Sequence, residues 1–373
     1  MRILALTLIA TAAFAQRAPQ PAPIQSPEIH PDARVSFRIR APKATAVALR
    51  GEWMAANATE AMTKSEDGVW SATVGPLTPE LYTYSFVVDG TSMPDPANPL
   101  LKEGNRGPTS MIDILGPPVN FFAWRDVPHG TVHVHHYYSK AIHANRRVHV
   151  YTPPGYESSK DAFPVLYLLH GSGDTDAEWA TVGRAGMIAD NLFTDGRVRP
   201  MIIVMPDGHA VKSGDRAARS RNTEMFEADL MGDILPLVEK TYRVQADRGS
   251  RAIAGLSMGG AQTLNISLSH LDKFAYIGVF SSGIFGSSGS TDEFKKQHAA
   301  VLSKGAEWNK QIRLFWVGIG KDDFLLESNN SMLAVLKESG IQTDFRLTDG
   351  GHVWKNWRIY LRDFLPRLFR ERS

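Results

Sequence analysis

The sequence predicts two parts: a small all-β, immunoglobulin-like sandwich, then a doubly wound, mostly parallel α/β sheet. Three observations carry this. Residues 32–116 read as short alternating strands broken by Gly and Pro. After Gly116-Pro117-Pro118, near-continuous apolar runs alternate with amphipathic segments. Finally, the stretch IAGLSMGG (253–260) sets a G-x-S-x-G spacing between one such run and one such segment.

With 373 residues the chain has room for two domains. Its hydrophobic content of 43% and charged content of 21% are ordinary for a globular protein. A net charge of +2 gives no electrostatic reason to expect a nucleic-acid or acidic-membrane partner. The absence of cysteine excludes disulfides, thiolate metal sites and a cysteine nucleophile. Stability must come from the core, which a chain this long can build.

Residues 1–15 read as a secretory signal peptide: Arg2, an apolar centre from Ile3 to Thr11, and a small-x-small site at Ala13-Phe14-Ala15. Cleavage is expected after Ala15, and the protein is expected to be secreted or periplasmic. The apolar run is shorter than the ~20 residues a membrane span needs. Residues 16–31 carry five prolines and read as an extended leader. In the sandwich, RVSFRIRA places Val35, Phe37 and Ile39 on one face, and TAVALRG, GVWSATV, LYTYSFVVDG and SMIDIL follow. From 119 to 373, the buried strands FPVLYLL, PMIIVMP, RAIAGL, FAYIGVF, IRLFWVGIG and TDFRLTD are expected. Helices are expected between them over AEWATVGRAGMIADNLF, FEADLMGDILPLVEKTY, GGAQTLNISLSH, SNNSMLAVLKESG and NWRIYLRDFLPRLF.

A G-x-S-x-G alone is a weak signal. Here it lies between a predicted strand and a predicted helix, where Ser257 would stand on a tight elbow with its hydroxyl exposed at the sheet edge. Such a serine needs a base oriented by a third group, in the chain order Ser, acid, His. Downstream histidines are His270, His298 and His352. His270 ends the elbow helix and His298 sits in the polar DEFKKQHAA. His352, in TDGGHVW after a strand, is where such sheets place catalytic groups. The acid should follow IRLFWVGIG, leaving Asp322 and Asp323; Asp349 stands only three residues before the histidine. Met258 N–H is the expected first oxyanion donor, and HGSG (170–173) the source of the second.

Taken together, VYTPPGYE, FPVLYLLHGSGD, EWATVGRAGMIADNL, PMIIVMPDGHA, AGLSMGG, GKDDFL and GGHVWKNWRIYL resemble α/β-hydrolase esterases of carbohydrate esterase family 1. That family includes feruloyl and acetylxylan esterases. The resemblance implies Asp323 as the acid, Ser172 as the second oxyanion donor, and no metal or cofactor. Expected substrate-lining residues are Gly171, Gly173, Gly283, Ile284 and Trp179, with the loop 281–290. Residues 32–115 resemble carbohydrate-binding module family 48 through VALRGEW, DGVW, LYTYSFVVDG and PDPANP. That resemblance implies glycan contact by Trp53 and Trp70, against which stands the ordinary role of strand aromatics as core.

His133 and His135, two apart within the His-rich 129–149, could share a strand face and ligate zinc. No carboxylate has matching spacing, so a solvated strand is expected. Arg216, Arg219 and Arg221 make a basic loop that is either simply exposed or faces acidic glycan decorations. The expected activity is an exported serine esterase acting on feruloyl or acetyl esters of plant cell-wall polysaccharide. The alternatives are a siderophore esterase, an acyltransferase of the mycolyltransferase type, and a glycan-binding protein with a vestigial hydrolase.

Overall fold

The computed structural model describes residues 23–370 apart from Ala56, 212–218 and 286–289. The signal segment, the leader up to residue 22, Arg216 and part of the 281–290 loop lie outside the described residues.

Among the described residues, ten strands form the front: β1 Glu28–Ile29, β2 Val35–Arg40, β3 Val47–Gly51, β4 Glu60–Ala61, β5 Thr63–Lys64, β6 Val69–Val74, β7 Glu80–Val88, β8 Thr91–Met93, β9 Leu101–Lys102 and β10 Thr109–Ile114. They make two antiparallel sheets, β1-β2-β6-β5 and β4-β3-β7-β10-β9, with β8 on β7. Alternation along β2 turns Val35, Phe37 and Ile39 into the core, where they meet Leu49, Trp70, Tyr84 and Phe86.

The second part is one eight-stranded sheet of β11 Thr131–Ser139, β12 Ala144–Thr152, β13 Val165–Leu169, β14 Ile202–Pro206, β15 Arg251–Leu256, β16 Tyr276–Phe280, β17 Leu314–Gly320 and β18 Asp344–Thr348. Its order is β11-β12-β14-β13-β15-β16-β17-β18. The two outer pairings, β11 with β12 and β12 with β14, are antiparallel and the rest are parallel. The central strands are buried on both faces, as a parallel sheet between helical layers requires. The chain leaves β13 for β14 on one side, then crosses to β15 on the other. Loops at the carboxyl ends of β13 and β15 therefore diverge and open a crevice.

The helices are α1 Ala185–Thr194, α2 Asn222–Asp229, α3 Leu235–Thr241, α4 Met258–Ser269, α5 Thr291–Gln297, α6 Ala299–Leu302, α7 Gly305–Trp308, α8 Leu326–Glu338 and α9 Trp354–Phe364. A π turn at Leu230–Ile234 joins α2 to α3. The helix expected across AEWATVGRAGMIADNLF forms only from Ala185. Upstream, the Glu178 carboxylate accepts from Thr175 N and Gly104 N, and Arg184 adopts φ 53°, so the backbone there is committed to turns.

The two parts share a core. Leu81 and Met111 of the sandwich, with Val119 and Phe122 of the connection, join Tyr151, Trp179, Trp354 and Tyr360 in one apolar cluster. Arg358 of α9, 1% exposed, crosses this boundary. Its guanidinium donates to Glu80 Oε1 at 2.7 Å, Leu81 O at 3.2 Å and Val182 O at 2.7 Å. Among the described residues, no helix is long and apolar enough to cross a membrane.

Candidate active site

Ser257 joins β15 to α4 with φ 52° and ψ −116°, a backbone conformation that L-residues rarely adopt. Surrounding bonds hold it there. Its N–H donates to Phe280 O at 3.0 Å, and its carbonyl accepts from Ser282 Oγ at 2.7 Å and Ala261 N at 3.0 Å. The flanking glycines are steric requirements of the same turn. A Cβ on Gly255 would lie 2.4 Å from Gly259 O, and one on Gly259 would lie 2.5 Å from His170 O. Ser257 also stands at the N-terminus of α4, whose first N–H groups have no intrahelical acceptor and favour negative charge.

His352 Nε2 lies 2.9 Å from Ser257 Oγ, and His352 Nδ1 lies 3.0 Å from each oxygen of Asp323. Three loops, after β15, β17 and β18, thus meet at one point, although their residues are 29 and 95 positions apart in the chain. Asp323 is buried, which opposes its ionisation. The hydrogen bond from His352, the Leu325 N–H at 3.0 Å and the charge of His352 outweigh burial and hold the carboxyl below the usual carboxylate range. Asp322 is exposed, and its backbone N–H donates to Gly350 O at 3.0 Å. Asp349 pairs with Lys321 at 2.8 Å and is exposed. Neither reaches His352. His270 bonds Glu227 at 2.8 Å, and buried His298 bonds Asn265 at 3.0 Å.

Met258 opens α4, so its N–H is free for an oxyanion. A Cβ on Gly171 would sit 3.5 Å from Ser257 Cβ, which places the 170–173 loop beside Ser257. Among the described residues the Ser172 N–H has no hydrogen-bond acceptor. Gly171 O is fixed by His170 Nδ1 at 2.8 Å and Asp174 N at 3.1 Å.

Several expected lining residues lie elsewhere. Trp179 is 1% exposed, donates to Leu169 O at 2.9 Å and packs edge-on against Trp354 at 5.1 Å. Ile284 is in the core with Phe294 and Met332. Gly283 abuts the Ser328 backbone. Gly283 and Ile284 are drawn inward by the start of α8, where Asn329 Nδ2 donates to Ser282 O at 2.6 Å and Ser328 O accepts from Ile284 N. Trp70 is 7% exposed, its Nε1 bonds Ala41 O at 2.9 Å and Lys64 covers its ring at 5.3 Å, leaving no face for a sugar. Trp53 stacks on Phe37 at 5.5 Å. It also borders, with Glu52, Tyr82, Val353 and Lys355, a cavity of about 610 Å³ between the sandwich and the His352 loop.

Four histidines of the 129–149 stretch have partners within the fold. His129 bonds Asp190 at 2.9 Å, His133 Thr152 at 3.2 Å, His135 Tyr242 at 2.5 Å and His149 Asp176 at 2.6 Å. Arg221 pairs with Glu224 at 3.1 Å on an exposed turn. Three residues not anticipated from sequence stand at the site. Phe324, 75% exposed, lies against His352 with centroids 4.5 Å apart. Asn105, from the sandwich, bonds Ser172 O at 2.6 Å and His209 Nε2 at 3.2 Å. The G-K-D-D-F run carried a trace of Phe324. Nothing local marked Asn105 or His209, because their role depends on packing between the two parts.

Sheet order and the strand–turn–helix at Ser257 define an α/β-hydrolase. Residues 139–368, more than half of the chain, match the family model described as "Putative esterase". The chain belongs to this esterase family of carboxylic ester hydrolases. It is 29% identical over 351 residues to an endo-1,4-beta-xylanase/feruloyl esterase of Xylanibacter ruminicola, covering 92% of this chain and 46% of that one. The chain thus spans about half the length of that curated relative. A ferulic acid esterase of Anaeromyces mucronatus, solved with ferulic acid, superposes with TM-score 0.58 at 25% identity, covering 69% of this chain and 98% of that one. The enterobactin esterase of Shigella flexneri superposes with TM-score 0.61 over 89% of this chain and 92% of its own. At 19% identity that likeness shows the fold alone, but a share this large has to include the sandwich.

Proposed function

We propose that this chain is an exported serine esterase that hydrolyses plant cell-wall polysaccharide esters, with feruloyl groups on arabinoxylan as first substrate and acetyl groups on xylan as second. One observation carries the chemistry: the continuous contact from Ser257 Oγ through the His352 ring to Asp323. Ser257 Oγ attacks the ester carbonyl while His352 Nε2 takes its proton. Asp323 holds the Nδ1–H tautomer and stabilises the imidazolium. The carbonyl oxygen becomes an oxyanion, held by the N–H groups of Met258 and Ser172. His352 returns the proton to the departing sugar hydroxyl. Water, deprotonated by His352, then releases the acid from the acyl-enzyme.

The substrate class rests on likeness to the xylanase/feruloyl esterase along nearly the whole of this chain, sandwich included. Export rests on the Arg2 to Ala15 segment. The test is a hydrolysis panel of methyl ferulate, acetylated xylan and a catecholate trilactone, with wild type and Ser257→Ala. Wild type should cleave ferulate best, and Ser257→Ala should be inert and refuse a fluorophosphonate label. Preference for the trilactone would move the substrate to the siderophore class. Undiminished hydrolysis by Ser257→Ala would sink the mechanism.

A further inference from the structure

We propose that Asn105, carried by the sandwich, is a positioning residue for the oxyanion donor of the hydrolase part. The observation is a bridge between the two parts at the reaction centre. The Asn105 side chain donates to Ser172 O at 2.6 Å, and its backbone N–H donates to Gly173 O at 3.1 Å. A carbonyl only accepts, so Ser172 O fixes which end of the Asn105 amide faces it: the NH₂. The second hydrogen of that NH₂ points to His209 Nε2 at 3.2 Å, so this nitrogen presents its lone pair. One side chain therefore ties the loop after β13 to the loop after β14, on one flank of the crevice.

Positioning follows from the order of peptide planes. The donor N–H of Ser172 belongs to the Gly171–Ser172 peptide, whose carbonyl is held by His170 and Asp174. The next plane, Ser172–Gly173, is exposed and has glycine on its far side, which leaves its rotation loosely limited within the loop. Asn105 holds that plane through Ser172 O and the following one through Gly173 O. The segment bearing Asn105 is anchored in turn. Lys102 pairs with nearly buried Asp174 at 2.6 Å, Gly104 N–H donates to fully buried Glu178 at 2.7 Å, and Glu103 pairs with Arg147 at 2.7 Å. The sandwich thus acts on the reaction through the geometry of one N–H, without touching the reacting atoms.

This inference rests on the mechanism proposed above, in which Ser172 N–H faces the oxyanion. Removing an oxyanion donor outright typically costs about 100- to 1,000-fold in kcat. Freeing one from its restraint should cost less, about 10- to 100-fold. The experiment compares Asn105→Ala, Asn105→Asp and Arg106→Ala on p-nitrophenyl acetate, a small substrate with no glycan part. Arg106 is the exposed neighbour. Asn105→Ala should lower kcat about 10- to 100-fold with KM within about twofold. It should weaken a boronic acid, which mimics the tetrahedral oxyanion, by the same factor. Asn105→Asp keeps the size but faces Ser172 O with an acceptor, so it should lose at least as much. Arg106→Ala should match wild type. Asn105 is exposed, so both variants should keep the wild-type melting temperature. Unchanged kcat in both Asn105 variants, or a loss confined to KM, would overturn the positioning role. If Ser257→Ala is inert while Asn105→Ala turns over normally, only this inference falls. If Ser257→Ala remains active, the mechanism beneath it falls first.

Discussion

Replacing Asp323 by Asn tests the acid most sharply, because the two candidates are adjacent in sequence and differ in everything else. The Asp323 carboxylate receives His352 Nδ1 at 3.0 Å and the Leu325 N–H on Oδ1 at 3.0 Å. In the Asp323→Asn variant the amide oxygen stays with the Leu325 N–H, so the NH₂ takes the Oδ2 position, which is also 3.0 Å from His352 Nδ1. An NH₂ there requires a lone pair on Nδ1, which moves the ring proton to Nε2. His352 then faces Ser257 with a hydrogen and cannot take the hydroxyl proton. The charge that stabilises the imidazolium is lost as well. The corresponding replacement in a serine triad costs about 10,000-fold in kcat, or about 5.4 kcal/mol. Asp322→Asn alters an exposed side chain that does not reach His352, so its kcat should stay within about twofold. The assay is kcat/KM for methyl ferulate with both variants, with circular dichroism confirming that each is folded. Equal losses would refute the assignment, as would a loss of less than about tenfold in Asp323→Asn.

Two further outcomes follow from burial. His298 is 3% exposed, and burial pushes its imidazole down from 6.5 to about 4. A folded-state value below the unfolded one gives stability that is complete above pH 6.5 and lost as pH falls from there through about 4. It amounts to about 3 kcal/mol. His298→Gln should therefore flatten the urea-unfolding free energy between those pH values, and an unchanged slope would show that other groups carry it. Trp70 packs the sandwich core, so Trp70→Ala should cost about 3–5 kcal/mol in urea unfolding. Retention on xylan in affinity electrophoresis should be the same as for wild type when both are folded. Loss of xylan retention at unchanged stability would instead put Trp70 on a glycan surface.

Sequence patterning was a sound guide wherever the determining contacts are local. Period-two alternation put Val35, Phe37 and Ile39 inside, since a strand has only two faces. The apolar runs at 165–169, 251–256 and 314–320 became central parallel strands, since only strands covered on both sides tolerate such runs. The small residues around Ser257 were equally legible, because Gly255 and Gly259 answer a steric demand within one turn. His352 and Asp323 could be placed at strand ends by chain order. Choosing between Asp322 and Asp323 from residues alone was not possible, since the two differ only in which way the loop after β17 turns them.

The rest was decided by surfaces that meet far apart in sequence. Trp179, Ile284 and Trp70 carry side chains suited to ligand contact, yet the fold needed their volume in its cores. Asn105 looks like an ordinary loop residue until the sandwich docks through Arg358 and Glu80 and sets it against Ser172, 67 positions later. By itself the sequence determined the strands, the elbow and the chain order of Ser257, Asp323 and His352, because these depend on neighbours along the chain. Tertiary structure alone decided what lines the crevice and what steadies its oxyanion loop, because those contacts exist only once the two parts share a core.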